Sequence, residues 1–307
     1  MNDARVRLRY LSRTVGLLFP TTDGEPRPYS LLPHRTLPRR LAPRAWWHPG
    51  RRVLVPSGHD TIETYLGQAL GAPVRVVLHV RPAVRANRKP ILEAHTRDGL
   101  AAFVKIGDTD RVRDLVTHEA RTLAMLADTP LKTVVAPTVL HHGTWRGLSV
   151  LALSPLPVRR GPRALPVPTR LLVEAVTEIA HLPVPPGQGF AWHGDLSPWN
   201  IARAADGRLL VWDWERFGTG VPLGFDAVHH LFHRLLRRND PATAARACLA
   251  QALAALAPFG LSSAEARLTV IRYLIALADR HAADGHAPLG APERWLNPVV
   301  DFQELLS

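Results

Sequence analysis

Nine consecutive residues in the second half of the chain combine side chains that suit phosphoryl transfer. They are Trp192-His193-Gly194-Asp195-Leu196-Ser197-Pro198-Trp199-Asn200. Phosphoryl transfer needs a carboxylate that orients and deprotonates the attacking hydroxyl, and a nearby amide oxygen that holds a metal ion. Asp195 and Asn200 fit those two roles. His193 would brace the loop through hydrogen bonds, and Gly194 permits a tight backbone.

A second carboxylate, Asp213, follows Asn200 by 13 residues, at the end of a predicted strand from Arg208 to Trp212. An aspartate in that place is positioned to reach magnesium on nucleotide phosphates. Alone, Asp213 could equally cap the segment that follows, and the loop before it could be an ordinary turn. Both motifs in this order, with a predicted hairpin between them, favour phosphoryl transfer.

A lysine and a glutamate stand where an unpaired charge would be costly. Lys105 lies in the apolar strand Leu100 to Ile106, and Glu119 lies in the apolar stripe of the predicted helix Arg111 to Leu126. Burying either charge without a partner is unfavourable, so a pair between them is expected. Taken alone, Lys105 on the solvent side of a half-exposed strand is the better interpretation. Together with Asp195 and Asn200, the pair matches the lysine and glutamate that position nucleotide phosphates.

These motifs resemble the aminoglycoside phosphotransferase and choline kinase branch of the protein-kinase-like superfamily. His193-Gly194-Asp195 in place of His-Arg-Asp, and Asp213-Trp214 in place of Asp-Phe-Gly, are typical of that branch. The resemblance runs from about Val74 to about His233. It implies an α+β, bilobal fold, with a small antiparallel-sheet N-lobe carrying one main helix, a mostly helical C-lobe, and ATP between the lobes.

The resemblance also implies roles for individual residues. Lys105 would hold the phosphates, Glu119 would pair with Lys105, and Asp195 would be the catalytic base. Asn200 and Asp213 would bind Mg²⁺. Asp226, in Gly224-Phe225-Asp226, resembles an acid that braces this region, but a plain acid at a helix start is an equal alternative.

The implied activity is transfer of the γ-phosphate of ATP to a hydroxyl of a small molecule, such as a sugar, an antibiotic or a related metabolite.

Two features of the sequence depart from the patterns of kinases. The segment Arg81 to Pro90, expected to cover the phosphates, contains no glycine. The side chains of Arg81, Arg85, Arg88 and Lys89 could contact phosphate instead, and a solvated basic turn is an equal alternative. The lack of glycine motivates the alternative of a non-catalytic, kinase-like nucleotide or metabolite binding protein. The short path from Asp213 to the next helix leaves no room for an activation segment and argues against a protein substrate.

Hydrophobic patterning divides the chain into three parts. Residues 1–72 form a Pro- and Arg-rich extension packed on or completing the N-lobe, residues 73–153 the N-lobe, and residues 154–307 the helical C-lobe with the acceptor site. The predicted strands are Arg51–Val55, Val74–Val80, Ile91–His95, Leu100–Ile106, Leu148–Leu153 and Arg208–Trp212. The predicted helices are Thr61–Leu70, Arg111–Leu126, Leu171–His181, Phe225–Arg237, Pro241–Leu256 and Ala264–His281.

Composition sets wider limits. The 307 residues are 46% hydrophobic, no apolar run is long enough for a membrane span, and one cysteine, Cys248, suits a reducing cytoplasm. The net charge is +12, and only three of the 38 Lys and Arg residues are lysines.

The basic segment Arg35 to Arg52, which contains two tryptophans, could contact nucleic acid or an anionic membrane. A packed extension with exposed arginines is favoured, and no specific nucleic-acid partner is expected. The histidines beside Asp226 (His229, His230 and His233) are expected to be structural. The oligomeric state stays open.

Overall fold

The chain forms two compact units. The computed structural model describes residues 3–32, 39–49, 51–80, 88–159, 161, 164–183, 189–283 and 289–304. The first unit, here the sheet unit, contains Met1–Ala120 and Thr138–Pro155, and the second, the helical unit, contains Arg121–Pro137 and Leu156–Ser307.

Eight strands of the described residues form one antiparallel sheet in the sheet unit. They are β1 (Gly24–Leu32), β2 (Arg40–Pro43), β3 (Arg51–Ser57), β4 (Arg75–His79), β5 (Ile91–Thr96), β6 (Gly99–Gly107), β8 (Val139–Trp145) and β9 (Leu148–Leu153). Their order is β3-β1-β2-β4-β5-β6-β9-β8. Helices α1 (Asp3–Leu18) and α2 (Ile62–Leu70) belong to the same unit, and α3 (Asp110–Ala127) begins in it.

Strand β6 carries the lysine singled out from the sequence. It forms the predicted hairpin with β5, in which Thr96 pairs with Gly99 around Arg97-Asp98. Gly99 has a φ of 113°, which L side chains rarely adopt. Side chains alternate across a strand, so Val104 and Ile106 enter the core of the sheet unit, while Lys105 points to the other face.

The first seventy residues contribute to this sheet and to its core. Strands β1 to β3 extend it beyond β4, and their inward side chains join the same hydrophobic cluster as those of β4 to β6. Completely buried members of that cluster are Leu18, Leu41, Val55, Ile62, Leu66, Val76, Leu92, Ala94, Ala102, Val104, Ile106, Val150 and Ala152. The sheet is therefore larger than the strands predicted from the sequence alone would make it.

Among its described residues, the helical unit holds five longer helices and short strands. The helices are α4 (Thr169–Ala180), α5 (Phe225–Leu236), α6 (Pro241–Ala250), α8 (Ser263–Ala283) and α9 (Asn297–Glu304), with the short α7 (Ala252–Leu256) after α6. The strands are β7 (Val134–Val135), β10 (Phe190–Trp192), β11 (Ile201–Arg203), β12 (Leu209–Val211) and β13 (Gly218–Val221). Strand β11 forms a hairpin with β12, β7 runs parallel to β12, and β10 pairs with β13.

The prediction of one continuous helix from Pro241 to Leu256 is wrong. The helix breaks at Gln251, and the axes on either side differ by 68°. Neither glycine nor proline occurs from Ala242 to Ala257, so no local signal marks the break. Within the described part of the chain, no single helix has the length and apolarity to cross a membrane. This bent pair meets that test jointly, by length and composition only.

Candidate active site

The segment Trp192 to Asn200 connects β10 to β11, and a glycine sets its first turn. Gly194 has a φ of 79°, and a Cβ at that position would overlap the carbonyl oxygen of Arg216. Only glycine combines that backbone conformation with so close an approach. The tight backbone expected at Gly194 is therefore present.

A buried carboxylate braces the same turn. Asp226, in the first turn of α5 and 2% exposed, accepts hydrogen bonds from the backbone N–H of His193 (2.6 Å) and of Gly194 (3.2 Å). Burial raises the pKa of Asp226 to about 7, although these two donors act in the opposite direction. Of the two interpretations left open by the sequence, the bracing acid is the one with contacts to support it.

An arginine from α8 holds the opposite side of the turn. Arg280 donates from Nη1 to the carbonyl oxygen of Gly194 at 2.6 Å, and its guanidinium lies 5.5 Å from the ring centre of Trp192. Hydrogen bonds from a charged donor are about twice as strong as neutral ones. Asp226 and Arg280 together fix the backbone that presents Asp195.

The carboxylate of Asp195 is held through both of its oxygens. Oδ2 accepts from Nδ2 of Asn200 at 3.0 Å, and Oδ1 lies 3.0 Å from Nε2 of His229. Burial raises the pKa of Asp195, and the negative charge of Asp213 raises it further. A carboxylate with a raised pKa is a stronger base than an exposed aspartate.

The contact between His229 and Asp195 continues to a tyrosine. Nδ1 of His229 lies 3.1 Å from the hydroxyl of Tyr273. Burial lowers the pKa of His229 well below its usual value and raises the pKa of Tyr273, so the ring is neutral and the hydroxyl is protonated. In the ionised form that a catalytic base requires, Asp195 only accepts hydrogen bonds, so Nε2 of His229 would donate to Asp195 and Nδ1 would accept from Tyr273.

His193 is completely buried and contacts the loop itself. Its Nδ1 accepts from the backbone N–H of Asp195 at 3.1 Å. Its ring packs against the indole of Trp214, with centroids 4.5 Å apart. These contacts fit the bracing role expected from the sequence.

Two oxygen-donor side chains suit a magnesium ion. Asn200 donates from Nδ2 to the backbone oxygen and to Oδ2 of Asp195, both at 3.0 Å, which orients its amide oxygen away from that carboxylate. Asp213 follows β12 with a φ of 73° and a ψ of 53°, a left-handed conformation that costs energy in a non-glycine residue. An amide oxygen and a carboxylate are the hard donors that Mg²⁺ prefers, so this donor set fits the ion.

A separate group of three side chains also offers ligand atoms for a metal ion. Asp195, His229 and His233 present them within 4.8 Å of one another. The bonds that His229 makes to Asp195 and Tyr273 already account for its orientation. We therefore assign His229 to the positioning of the carboxylate.

In the sheet unit, the two charges singled out from the sequence form an ion pair. Nζ of Lys105 lies 2.7 Å from Oε1 and 2.5 Å from Oε2 of Glu119. Lys105 is 8% exposed and Glu119 is completely buried. The expectation that each charge satisfies the other is confirmed.

Comparison with known proteins places this arrangement in a fold. No family model and no curated protein matches the sequence. A solved structure of a candidate fructosamine-3-kinase from Haemophilus somnus 129PT matches 78% of this chain and 95% of its own, with a TM-score of 0.50 and 14% identity. The chain has the protein-kinase-like fold. The α+β, bilobal class and the resemblance carried by the catalytic loop are thus confirmed at the level of the fold.

Two further structures show a weaker likeness to this kinase-like chain. One is the GDP complex of an aminoglycoside 2'-phosphotransferase-IIIa variant, and the match spans 71% of this chain and 87% of that one, with a TM-score of 0.43 and 12% identity. Macrolide 2'-phosphotransferase MphH from Brachybacterium faecium covers 71% and 92%, with a TM-score of 0.42 and 17% identity.

The glycine-free segment of this kinase-like chain falls mostly outside the described residues. Residues 81–87, which include Arg81 and Arg85, are not described. Arg88 lies over the ring of Tyr10, with 3.9 Å between Cζ and the ring centre, and Lys89 is 7% exposed. Contact of Arg88 or Lys89 with phosphate stays a prediction.

Sequence reasoning missed two residues around the catalytic loop. His229 was expected to be structural, yet it contacts the Asp195 carboxylate. His229 follows Asp226 by three residues, so both lie on one face of α5. If Asp226 faces the catalytic loop, His229 is therefore expected to face the loop as well. Arg280 lies 86 residues from Gly194, and nothing local in the sequence connects them.

Proposed function

We propose that this protein transfers the γ-phosphate of ATP to a hydroxyl of a small molecule, with Asp195 as the catalytic base. The observation that carries the proposal is the Asp195 carboxylate, held between Asn200 and His229. The fold shared with a protein named as a fructosamine-3-kinase supports a small-molecule acceptor. Sugars and sugar-like antibiotics are the first acceptors to test.

In this mechanism Asp195 accepts the hydrogen bond of the attacking hydroxyl and takes its proton as the phosphoryl group moves. The bonds from Asn200 and His229 fix the carboxylate before the acceptor arrives, so little reorganisation is needed in the transition state. His193 holds the backbone of Asp195 from behind. The raised pKa of Asp195 favours proton transfer from a weakly acidic alcohol.

The remaining residues serve the nucleotide. Asn200 and Asp213 would hold Mg²⁺, which when bound would neutralise charge on the phosphate oxygens. Lys105 would contact the phosphates as a positive charge, and Glu119 would keep its ammonium in place. Contacts from side chains to the phosphates would replace the backbone contacts that a glycine-rich loop makes.

The nucleotide part of this proposal is tested by thermal stability with and without ATP and Mg²⁺. Ligand at about a hundredfold over its dissociation constant should stabilise the wild type by roughly 2.7 kcal/mol. Asp213→Ala should lose the magnesium-dependent part of that shift because a metal ligand is gone. Asp128→Ala is the matched control, since Asp128 is exposed, and it should keep the whole shift.

The outcomes separate the two functions that the sequence left open. A magnesium-dependent shift with phosphate transfer to a hydroxyl compound supports the kinase. The same shift without transfer to any acceptor in a broad panel would favour a non-catalytic binding protein. No shift with ATP or GTP would contradict the nucleotide site itself.

His229→Ala should lower kcat by about 10- to 100-fold while changing KM for ATP little. The reason is that the variant frees one oxygen of Asp195 without touching the groups assigned to the nucleotide. Tyr273→Phe, which removes only the hydroxyl that reaches Nδ1 of His229, should have a smaller effect in the same direction. Steady-state kinetics with varied ATP and acceptor separates the two parameters.

A double-mutant cycle distinguishes positioning of Asp195 from general support of the fold. If His229 acts through Asp195, then His229→Ala should add little to the loss already caused by Asp195→Asn. Additive losses would instead mean that His229 contributes independently, and the positioning role would be wrong.

A further inference from the structure

A short turn between β2 and β3 displays two tryptophans to solvent. Trp46 is 91% exposed and Trp47 is 65% exposed, the highest values among the large hydrophobic side chains of the described residues. The turn, residues 45–48 and here called the tryptophan turn, is closed by two hydrogen bonds. The backbone N–H of His48 donates to the carbonyl oxygen of Ala45 at 3.1 Å, and that of Ala45 donates to Nδ1 of His48 at 3.2 Å.

The tryptophan turn is anchored to the sheet. The backbone N–H of the preceding residue, Arg44, donates to the carbonyl oxygen of Pro28 in β1 at 3.0 Å. Pro28 pairs in turn with Leu54 of the edge strand β3, and Leu54 is 56% exposed. The tryptophans are thus presented by a defined backbone, and a further exposed apolar residue, Leu54, lies on the edge strand of the same sheet.

The surrounding sequence carries positive charge only. Residues 26–59 contain seven arginines and no lysine, aspartate or glutamate. Arg51 and Arg52, which open β3 just after the turn, are both exposed. This segment therefore carries a net charge of +7 in the sequence, and two of its arginines, Arg27 and Arg40, pair with Glu63 and Glu93 outside it.

We propose that the tryptophan turn inserts into the headgroup region of an anionic lipid bilayer and attaches the protein to that surface. Tryptophan combines a large apolar ring with one N–H donor and is enriched where a membrane meets water. Arginines near an anionic surface add attraction that salt screens. Such attachment is peripheral and reversible, since two inserted rings bury far less apolar area than a spanning helix.

The geometry favours a bilayer over a nucleic acid. The rings of Trp46 and Trp47 stand at 90° to each other, with centroids 5.6 Å apart. Successive bases of a single strand would need ring faces arranged so that each base could stack. The exposed Leu54 on the edge strand β3 suits an apolar layer and offers a base no hydrogen-bonding side-chain group.

The test measures binding of the full chain to vesicles by flotation. Wild type should bind vesicles that contain phosphatidylglycerol and should not bind vesicles of phosphatidylcholine alone. Trp46→Ala/Trp47→Ala should lose most of this binding at an unchanged melting temperature, because both side chains are exposed. Leu268→Ala, at a 47% exposed leucine of α8, is the control and should bind like the wild type.

The charge contribution has its own variant. Arg51→Gln/Arg52→Gln should weaken binding on the order of thirtyfold at low salt. Arg97→Gln, at an arginine whose side chain is 93% exposed in the β5–β6 turn, should have a small effect. Binding should also fall as sodium chloride is raised.

Three results would overturn the proposal. The first is no binding of the wild-type protein to anionic vesicles at millimolar lipid concentration. The second is unchanged vesicle binding in Trp46→Ala/Trp47→Ala. The third is tryptophan-dependent binding of a single-stranded oligonucleotide without vesicle binding, which would assign the turn to nucleic acid. The experiment needs neither ATP nor acceptor, so its failure leaves the proposed kinase activity untouched.

Discussion

Asp195→Asn should lower kcat by about 10²- to 10⁴-fold, the range that general-base catalysis contributes. Asparagine has nearly the same shape and can still accept one hydrogen bond from Asn200 or His229, so the loop should keep its conformation. What it lacks is the capacity to take the proton of the attacking hydroxyl. The measurement is ADP formation with the best acceptor from a panel of sugars and sugar-like antibiotics.

The matching control is Asp128→Asn, a change of the same chemistry at an exposed position, which should keep full activity. The Asp195→Asn variant should also retain the ATP- and magnesium-dependent stabilisation, because Asn200 and Asp213 are intact. If Asp195→Asn keeps both nucleotide binding and the full wild-type kcat, Asp195 is not the catalytic base.

The parts of the site that follow from local sequence were predictable. Asp195 and Asn200 stand five residues apart on one loop, and a glycine with positive φ sets their geometry. Lys105 and Glu119 could be paired because each charge was misplaced in an otherwise apolar pattern, and burial of either alone is costly. In both cases a few neighbouring residues carry the physical constraint.

The long-range parts of the site were not predictable from pattern. Both Tyr273 and Arg280 come from α8, which packs against α5: Tyr273 contacts His229 of α5, and Arg280 contacts Gly194 of the catalytic loop. A tyrosine or arginine in an amphipathic helix has many uses, and one sequence does not reveal which side chains it meets. The break at Gln251 likewise has no glycine or proline to mark it in the sequence.

The extent of the sheet was hidden by prolines. Strand β1 contains Pro26 and Pro28, and proline lacks the N–H that a sheet ladder needs. In the structure the β1–β2 ladder runs only from Tyr29 to Leu32, so both prolines lie beyond it, and on that side the backbone N–H of Arg44 donates to the carbonyl oxygen of Pro28. That half of β1 is effectively an edge, where proline is tolerated.

Glu119→Ala should destabilise the protein by about 3–5 kcal/mol, the cost of removing one partner of a buried ion pair. Lys105 is 8% exposed in the intact protein, and its ammonium would lose the carboxylate that lies 2.5 Å away. Urea unfolding followed by circular dichroism measures the loss. Glu174→Ala, at a carboxylate on α4 whose pair with Arg170 is largely exposed, should cost less than about 1 kcal/mol.

Replacing both partners separates the structural use of the pair from its proposed use in catalysis. Lys105→Met/Glu119→Leu removes both charges and keeps similar volume, so it should recover most of the stability lost in Glu119→Ala. It should not recover activity, because no positive charge then stands where Lys105 would contact the phosphates. A stable double variant with normal kcat/KM for ATP would show that the pair only holds α3 against β6, and that another cation serves the nucleotide.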